Sequence, residues 1–326
     1  MRRAEISVAA VIPPIKMAKT AKDGTFPHHR GLFFAWNKIT YGEKKTADVW
    51  HGTNNVYAEH QKMISTAAGE VLGRHRAAVT WNGPDGAAFA TEERELTAYA
   101  TTGGTLLDFA SVVRTELPSV KLDGDPQHAG FHFRANMEVA LKTAKETYYL
   151  RPDGKGKAGE TRNWDAKGKD AKTVDLPWDA CSFVVGGKRY TVLRVGHPSN
   201  PGEARGSERD YGRFGDYFEY DLTPEKPLKV KYRVWVQPGE MTVEQRQRHV
   251  AGRTDAPLRP LDPLRLVQHA GIRLHELHAE KTDQGVPEPF GILRRLARQH
   301  RIVGQVLGRD ESCPVALPPE GIARIP

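Results

Sequence analysis

Between Lys226 and Gly239 the chain reads KPLKVKYRVWVQPG, and its side chains alternate in character. Leu228, Val230, Tyr232, Val234 and Val236 fall on one face, and Lys229, Lys231, Arg233 and Trp235 on the other. A period of two residues belongs to an extended strand, so this stretch should bury one face of a sheet. Neighbouring segments agree. HRAAVTWN, AAFATEERELTAYA and TLLDFASVVRTE are joined by NGPDG and TTGG, which predicts three strands in an antiparallel meander. CSFVV and KRYTVLRV flank Gly186-Gly187, a two-residue hairpin turn. Helical periodicity is sparse, although TVEQRQRH has the look of a helix start. Residues 152–175 are polar and glycine-rich and read as a long exposed loop. Many strands at short spacing point to an all-β antiparallel sandwich.

The 326 residues suffice for one large domain or two ordinary ones. No run approaches the roughly 18 apolar residues of a membrane helix, which argues against an integral membrane role. The net charge of +8 invites a nucleic-acid reading. Its lysines and arginines are scattered among acids, as in TEERELTAY and NWDAKGKDAKTVD, so no basic stripe for a phosphate backbone emerges in the first 245 residues. Cys181 and Cys313 lie far apart without metal or redox spacing. The start, MRR then ISVAAVI then Pro-Pro, has only a minimal apolar core for a leader. The sequence does not fix the localisation: as it stands the chain is expected in the cytoplasm, and with a leader on the true N-terminus it is expected in the periplasm.

After GEMTVEQ the vocabulary changes. Residues 246–326 hold 12 arginines and one lysine, against 16 and 19 in the first 245, and Phe290 is their only aromatic residue. Either a small helical piece is appended, with FGILRRLARQHRIVGQVLG at helical spacing, or the segment is out-of-frame translation of a GC-rich gene; the second reading is preferred. The expected division is an irregular segment 1–23, a β-sandwich domain 24–245 and an atypical tail 246–326.

Polar residues gather in four stretches. PHHRGLFFAW sets His28, His29 and Arg30 ahead of an apolar strand. DVWHGT flanks His51 with Trp50. In QHAGFHFRAN, read as a strand, His128, Gly130, His132 and Arg134 share one face while Phe131 and Phe133 bury the other. Gly130 would then leave room for a ligand. SERDYGRFGDYF interleaves Arg209, Asp210 and Arg213 with Tyr211. Arginine forks bind hydroxyls and carboxylates in pairs, and histidines move protons near neutral pH, so the set suits a polyhydroxylated or anionic small molecule. The bland reading of each stretch is a surface turn or a salt-bridged hairpin end, and Glu93 and Glu95 read as a solvated strand face. Repetition of the same combination favours one shared pocket. No cofactor and no metal are expected: His128 and His132, four apart on a strand, are too distant to chelate one ion.

PHHRGLFFAW, DVWHG, LLDF, DGDPQHAGFHFRAN, DLPWDACS, HPSNP and RDYGRFGDYF, in this order across residues 24–246, resemble a bacterial family labelled PmoA-like. Members of that family continue differently after GEMTVEQ and carry further strands ahead of the HHR motif. The label implies a copper-bearing membrane oxygenase, which a chain without a transmembrane helix does not fit. The family is in turn similar to galactose-mutarotase-like supersandwich proteins, which implies a β-supersandwich, here short of its front strands, with a carbohydrate on its concave face. By that analogy His132, Asp210 and His51 are the candidate acid–base groups. His28, His29, Arg30, Trp50, His128, Arg134, Arg209, Tyr211 and Arg213 are the candidate binding groups. The expected function is carbohydrate binding or processing, as a sugar isomerase, epimerase, lyase or hydrolase. A non-catalytic glycan-binding module and a soluble histidine-ligated metal oxygenase are the alternatives. The expected partner is a small carbohydrate, with no nucleic acid and no membrane.

Overall fold

The computed structural model describes residues 31–165, 171–242 and 245–246. Its chain contacts divide at Pro257, and every described residue belongs to the first unit. The expected tail lies outside the described residues apart from Arg246, as do His28, His29 and Arg30.

The described residues form strands β1 (Leu32–Trp36), β2 (Lys38–Tyr41), β3 (Lys45–Ala47), β4 (Tyr57–Ala68), β5 (Leu72–Asn82) and β6 (Ala88–Ala100). There follow β7 (Thr105–Arg114), β8 (Val120–Asp123), β9 (Ala129–Arg134), β10 (Tyr148–Arg151), β11 (Gly154–Lys155) and β12 (Arg162–Asn163). The last are β13 (Asp179–Val185), β14 (Lys188–Gly196), β15 (Arg205–Arg209), β16 (Arg213–Tyr217), β17 (Tyr220–Leu222) and β18 (Leu228–Pro238). A nine-stranded sheet runs β11-β10-β13-β14-β18-β7-β6-β5-β4, a five-stranded sheet β1-β9-β16-β15-β12, and a four-stranded sheet β17-β8-β2-β3. Every named pairing is antiparallel, so the fold is the all-β antiparallel class that the alternation required.

The core lies between the two larger sheets. Phe131 of β9 stacks on Tyr232 of β18 at 4.2 Å and meets Phe109 of β7 at a tilt, 4.8 Å between ring centres. Each such pair adds about 0.5–1.5 kcal/mol beyond its area burial. Leu228, Val230, Tyr232, Val234 and Val236 all enter this core. Trp235, on the opposite face, does not look into solvent; it is buried in a second cluster with Leu193 and Val195. β5, β6 and β7 form the expected meander, and Gly186 and Gly187 both have positive φ (57° and 70°), as a type I′ hairpin turn requires. Thr242 and Gln245 cap each other at the start of the expected helix: the Thr242 amide donates to Gln245 Oε1 at 2.8 Å and the Gln245 amide to Thr242 Oγ1 at 3.2 Å.

One stretch differs from expectation, and one strand carries no pattern that would predict it. Residues 152–175 are not one exposed loop, because Arg162 and Asn163 form β12 against β15 and Thr173 is buried. β4, which has no clean alternation, is a 12-residue edge strand with every residue exposed. It is held by its backbone ladder to β5, and two bulges and Lys62 roughen its free edge. Among the described residues no helix is long and apolar enough to cross a membrane.

Candidate functional site

Two loops carry the same device. In the loop after β3, Val49 and Trp50 both donate backbone N–H groups to the Trp36 carbonyl, at 3.1 and 3.2 Å, which pins the turn to β1. The Asp48 carboxylate then accepts from the His51 amide at 2.9 Å and from His51 Nδ1 at 2.7 Å. In the loop between β8 and β9, Asp125 accepts from the Gln127 amide at 3.0 Å, from His128 Nδ1 at 2.9 Å and from Asn37 Nδ2 at 3.0 Å. A carboxylate accepts only, so in both dyads the imidazole proton sits on Nδ1. The two rings stand 5.2 Å apart, centre to centre, and all four side chains are partly open to solvent. Burial alone would raise the Asp125 pKa; hydrogen bonding and charge from His128, with Asn37 and Gln127, outweigh it and hold the group at about 2. The sequence carries this device as D-x-x-H twice, in DVWH and DPQH. That repeat is the signal by which Asp48 and Asp125, absent from the expected set, could have been found.

Trp50 links the dyads to a deeper layer. Its ring meets His128 edge-on at 6.3 Å and His132 at 4.9 Å. His132 is fully buried. Its Nε2 donates to the Ala129 carbonyl at 2.9 Å, and its Nδ1 accepts from Arg213 at 2.9 Å. Burial first, then the charges of Arg213 and Arg194, push its pKa well below the usual imidazole range. With both nitrogens engaged and the proton disfavoured, this ring is a neutral post rather than the open acid–base group expected of it. The backbone makes room for it at Gly215, where a Cβ would lie 2.5 Å from His132 Cγ. Gly130 serves the fold too: its φ is +88°, and the space a side chain would need is filled by the β16 backbone at Asp216 and Tyr217, not by a ligand.

Arg213 also donates to Ser207 Oγ at 3.1 Å and to Tyr211 Oη at 3.2 Å. Arg134 donates to the Tyr211 carbonyl and lies over the Tyr211 ring at 4.4 Å. Arg209 donates to Gln127 Oε1 at 3.2 Å. The structure therefore brings His51, His128, Trp50, His132 and Arg213 into one chain of contacts, with Arg134, Arg209 and Tyr211 beside Arg213. Asp210 occupies the turn between β15 and β16; its amide approaches Thr161 Oγ1 at 3.4 Å, and its carboxylate forms no ion pair with His51, His128 or His132, the candidate histidines among the described residues.

His128 and Gln127 also line a cavity of about 780 Å³. Asn163, Trp164, Tyr217 and Asp123 form other parts of its wall. Arg205 lies between Trp164 and Tyr217, 4.5 and 5.5 Å from their ring centres, and Glu203 and Glu219 hold its guanidinium at 2.8 Å each. Such a volume holds a small polar ligand, with aromatic rings for apolar faces and carboxylates and amides for hydroxyls. Among the described residues no three His, Cys, Asp or Glu side chains are grouped to hold a metal ion.

Among solved structures, an alpha-N-acetylgalactosaminidase from Bifidobacterium bifidum in complex with GalNAc aligns at TM-score 0.40 and 10% identity, over 67% of this chain and 34% of its own. This chain thus spans about a third of that enzyme. A galactose mutarotase related enzyme from Lactobacillus acidophilus aligns at 0.30 and 9%, over 65% and 82% of the two chains. A galactose mutarotase-like protein from Clostridium acetobutylicum aligns at 0.32 and 10%, over 65% and 81%. Among curated proteins no sequence matches the chain. A family model does, across residues 15–251; its description assigns no activity, so the methane-oxygenase label implied by the motif resemblance is not carried by the match. The chain belongs to the family of unknown function DUF6807.

Proposed function

We propose that this protein binds a small carbohydrate in the cavity beside His128 and moves protons on it with His51 and His128. The observation that carries this reading is the pair of Asp–His dyads facing each other at 5.2 Å. In each dyad the aspartate fixes the tautomer and stabilises the imidazolium that forms when Nε2 takes a proton. Two imidazoles at that spacing can serve two oxygens of one sugar ring. One accepts the proton of the anomeric hydroxyl while the other, protonated, gives a proton to the ring oxygen. The bond from the anomeric carbon to the ring oxygen breaks, a carbonyl forms, and closure from the other face returns both protons. The reaction class is sugar isomerisation without a cofactor. His132 takes the role of a positioning residue under Trp50, and Trp164 and Tyr217 supply aromatic wall for the ring.

The test is interconversion of anomers of glucose and galactose, followed by polarimetry and proton NMR, in the wild type and in His51→Ala and His128→Ala. Saturable turnover, lowered about 10²–10⁴-fold by either substitution, is expected of a general acid–base pair. Turnover that neither substitution changes removes the dyads from the reaction. Saturable binding with no turnover replaces the enzyme by a glycan-binding module.

A further inference from the structure

Four arginines of the described residues are buried: Arg134, Arg151, Arg194 and Arg213. Arg151 is ion-paired with Glu208, and Arg194 with Asp179 and Asp216. Arg134 and Arg213 have neutral partners only. Arg134 meets the Tyr211 carbonyl and, at 3.7 Å, Met137 Sδ. Arg213 meets His132, Ser207 and the Tyr211 hydroxyl. Arg209, half-buried on the same hairpin, meets Gln127, and its Nε is buried without an acceptor. The three guanidinium carbons lie 4.4, 5.7 and 6.0 Å from the Tyr211 ring centre.

Three positive charges are thus drawn together, two of them out of water, and no carboxylate among the described residues forms an ion pair with any of them. Asp210, between Arg209 and Tyr211 in sequence, is not an exception. Burying uncompensated charge is costly, and proteins ordinarily pair it. The strain is visible in the pKa directions. Arg134 is lowered to about 10, by burial first and with Arg213 adding to it. Arg213 is lowered, by burial first and with Arg209 adding to it. Arg151, with its carboxylate partner, moves the other way.

We infer that Arg134, Arg209 and Arg213, gathered around Tyr211, bind the carboxylate of an acidic sugar. A planar guanidinium offers paired donors to a planar carboxylate, and half-buried Arg209 and Tyr211 give the ligand its approach. The placement fits a substrate that spans both features. Arg213 touches His132, His132 touches Trp50, and Trp50 touches His128 of the acid–base pair. Arg209 holds Gln127, and Arg213 holds Ser207, which donates to Asn163; Gln127 and Asn163 both line the cavity. The sugar part of this inference rests on the proposed function, whereas the anionic part rests on the arginines alone.

Calorimetric titration of the full chain at pH 7.5 with glucuronate, glucose and inorganic phosphate separates the readings. Glucuronate is expected to bind at least about tenfold more tightly than glucose. That preference is expected to vanish in Arg209→Gln, to return in part in Arg209→Lys, and to shrink as salt rises, as a charge-assisted contact should. Both variants must keep the wild-type thermal midpoint. Equal affinity for glucuronate and glucose overturns the inference and leaves the sugar reading intact. Binding of phosphate alone overturns the carboxylate as the ligand. Tight, Arg209-dependent binding of glucuronate with no His128-dependent turnover upholds this inference and sinks the acid–base reading.

Discussion

His51 and His128 face each other at 5.2 Å between ring centres, and each presents Nδ1 to an aspartate three residues earlier in the chain. His132, behind them, has the opposite arrangement, with Nδ1 accepting from Arg213 and Nε2 donating to Ala129. The neutral rings should therefore be Nδ1–H tautomers at His51 and His128 and an Nε2–H tautomer at His132. Long-range proton–nitrogen correlation spectra distinguish these states directly. Asp125→Leu removes the acceptor that fixes the proton on Nδ1 of His128 and should leave that ring as a mixture of the two neutral tautomers. One tautomer at all three rings would contradict the geometry on which the proposed chemistry stands.

The buried His132 makes stability depend on pH in a defined direction. Its pKa is lowered in the folded protein, so below about 6.5 the unfolded chain binds a proton that the folded one refuses. Stability from this group is complete above that value and falls as pH drops, at a slope of up to roughly 1.4 kcal/mol per pH unit. Urea unfolding between pH 8 and pH 5 measures it. His132→Gln, which still offers Arg213 an oxygen, should flatten the slope. Asp125 acts in a separate, more acidic window. Its pKa of about 2 means that its contribution is present above the ordinary carboxylate value near 3.9 and lost as pH falls towards 2.

Local patterns in the chain were enough to read the strands of the core, because alternation and two-residue glycine turns report directly on backbone conformation and on which face is buried. β4 escaped the same reading because its side chains are all exposed, so no burial pattern marks a segment held by backbone hydrogen bonds. The site was half legible for a related reason. Strand parity put His128 and His132 on one face, yet β9 begins at Ala129, and the His128 amide donates to Asp125 in the preceding turn at 3.1 Å. Parity therefore does not reach His128. Nor could parity show that the face carrying His132 is roofed by Trp50 and Phe33, since that depends on which loops fold back over the sheet.

Glycines of the two larger sheets should respond oppositely to a methyl group. Gly130→Ala meets both a φ of +88° and the backbone of Tyr217, whose Cα lies 2.7 Å from the added Cβ. Gly215→Ala drives a Cβ into the His132 ring. Each should destabilise by about 1–3 kcal/mol or more, as overpacking does. Gly73, on edge-side strand β5, has nothing within 4 Å of an added Cβ and a φ outside the left-handed range. Gly73→Ala should be neutral or stabilising by about 0.4–1 kcal/mol, through the unfolded chain. Thermal midpoints of the three variants decide the matter, and a Gly130→Ala protein as stable as the wild type would contradict the packing of β9 against β16.

The ion group around Arg194 ties the two larger sheets together. Its Nε donates to Asp179 on β13 at 2.9 Å, its Nη1 donates to Asp216 on β16, and Tyr232 of β18 donates to Asp216 at 3.3 Å. The geometry is two carboxylates on one guanidinium, all buried. Replacing Asp216 by Ala leaves Arg194 with a single carboxylate and removes the acceptor of Tyr232, so a loss of about 3–5 kcal/mol is expected in urea unfolding. Arg194→Met should cost at least as much, because it leaves two desolvated carboxylates side by side. The triple change Arg194→Met with Asp179→Leu and Asp216→Leu removes every charge at once and should recover much of that loss, since hydrophobic replacement of a buried ion group is often close to neutral. A triple variant less stable than Arg194→Met alone would mean that the aspartates hold the sheets by contacts independent of the arginine. The pairing of Arg194 with both would then not be what joins β13 to β16.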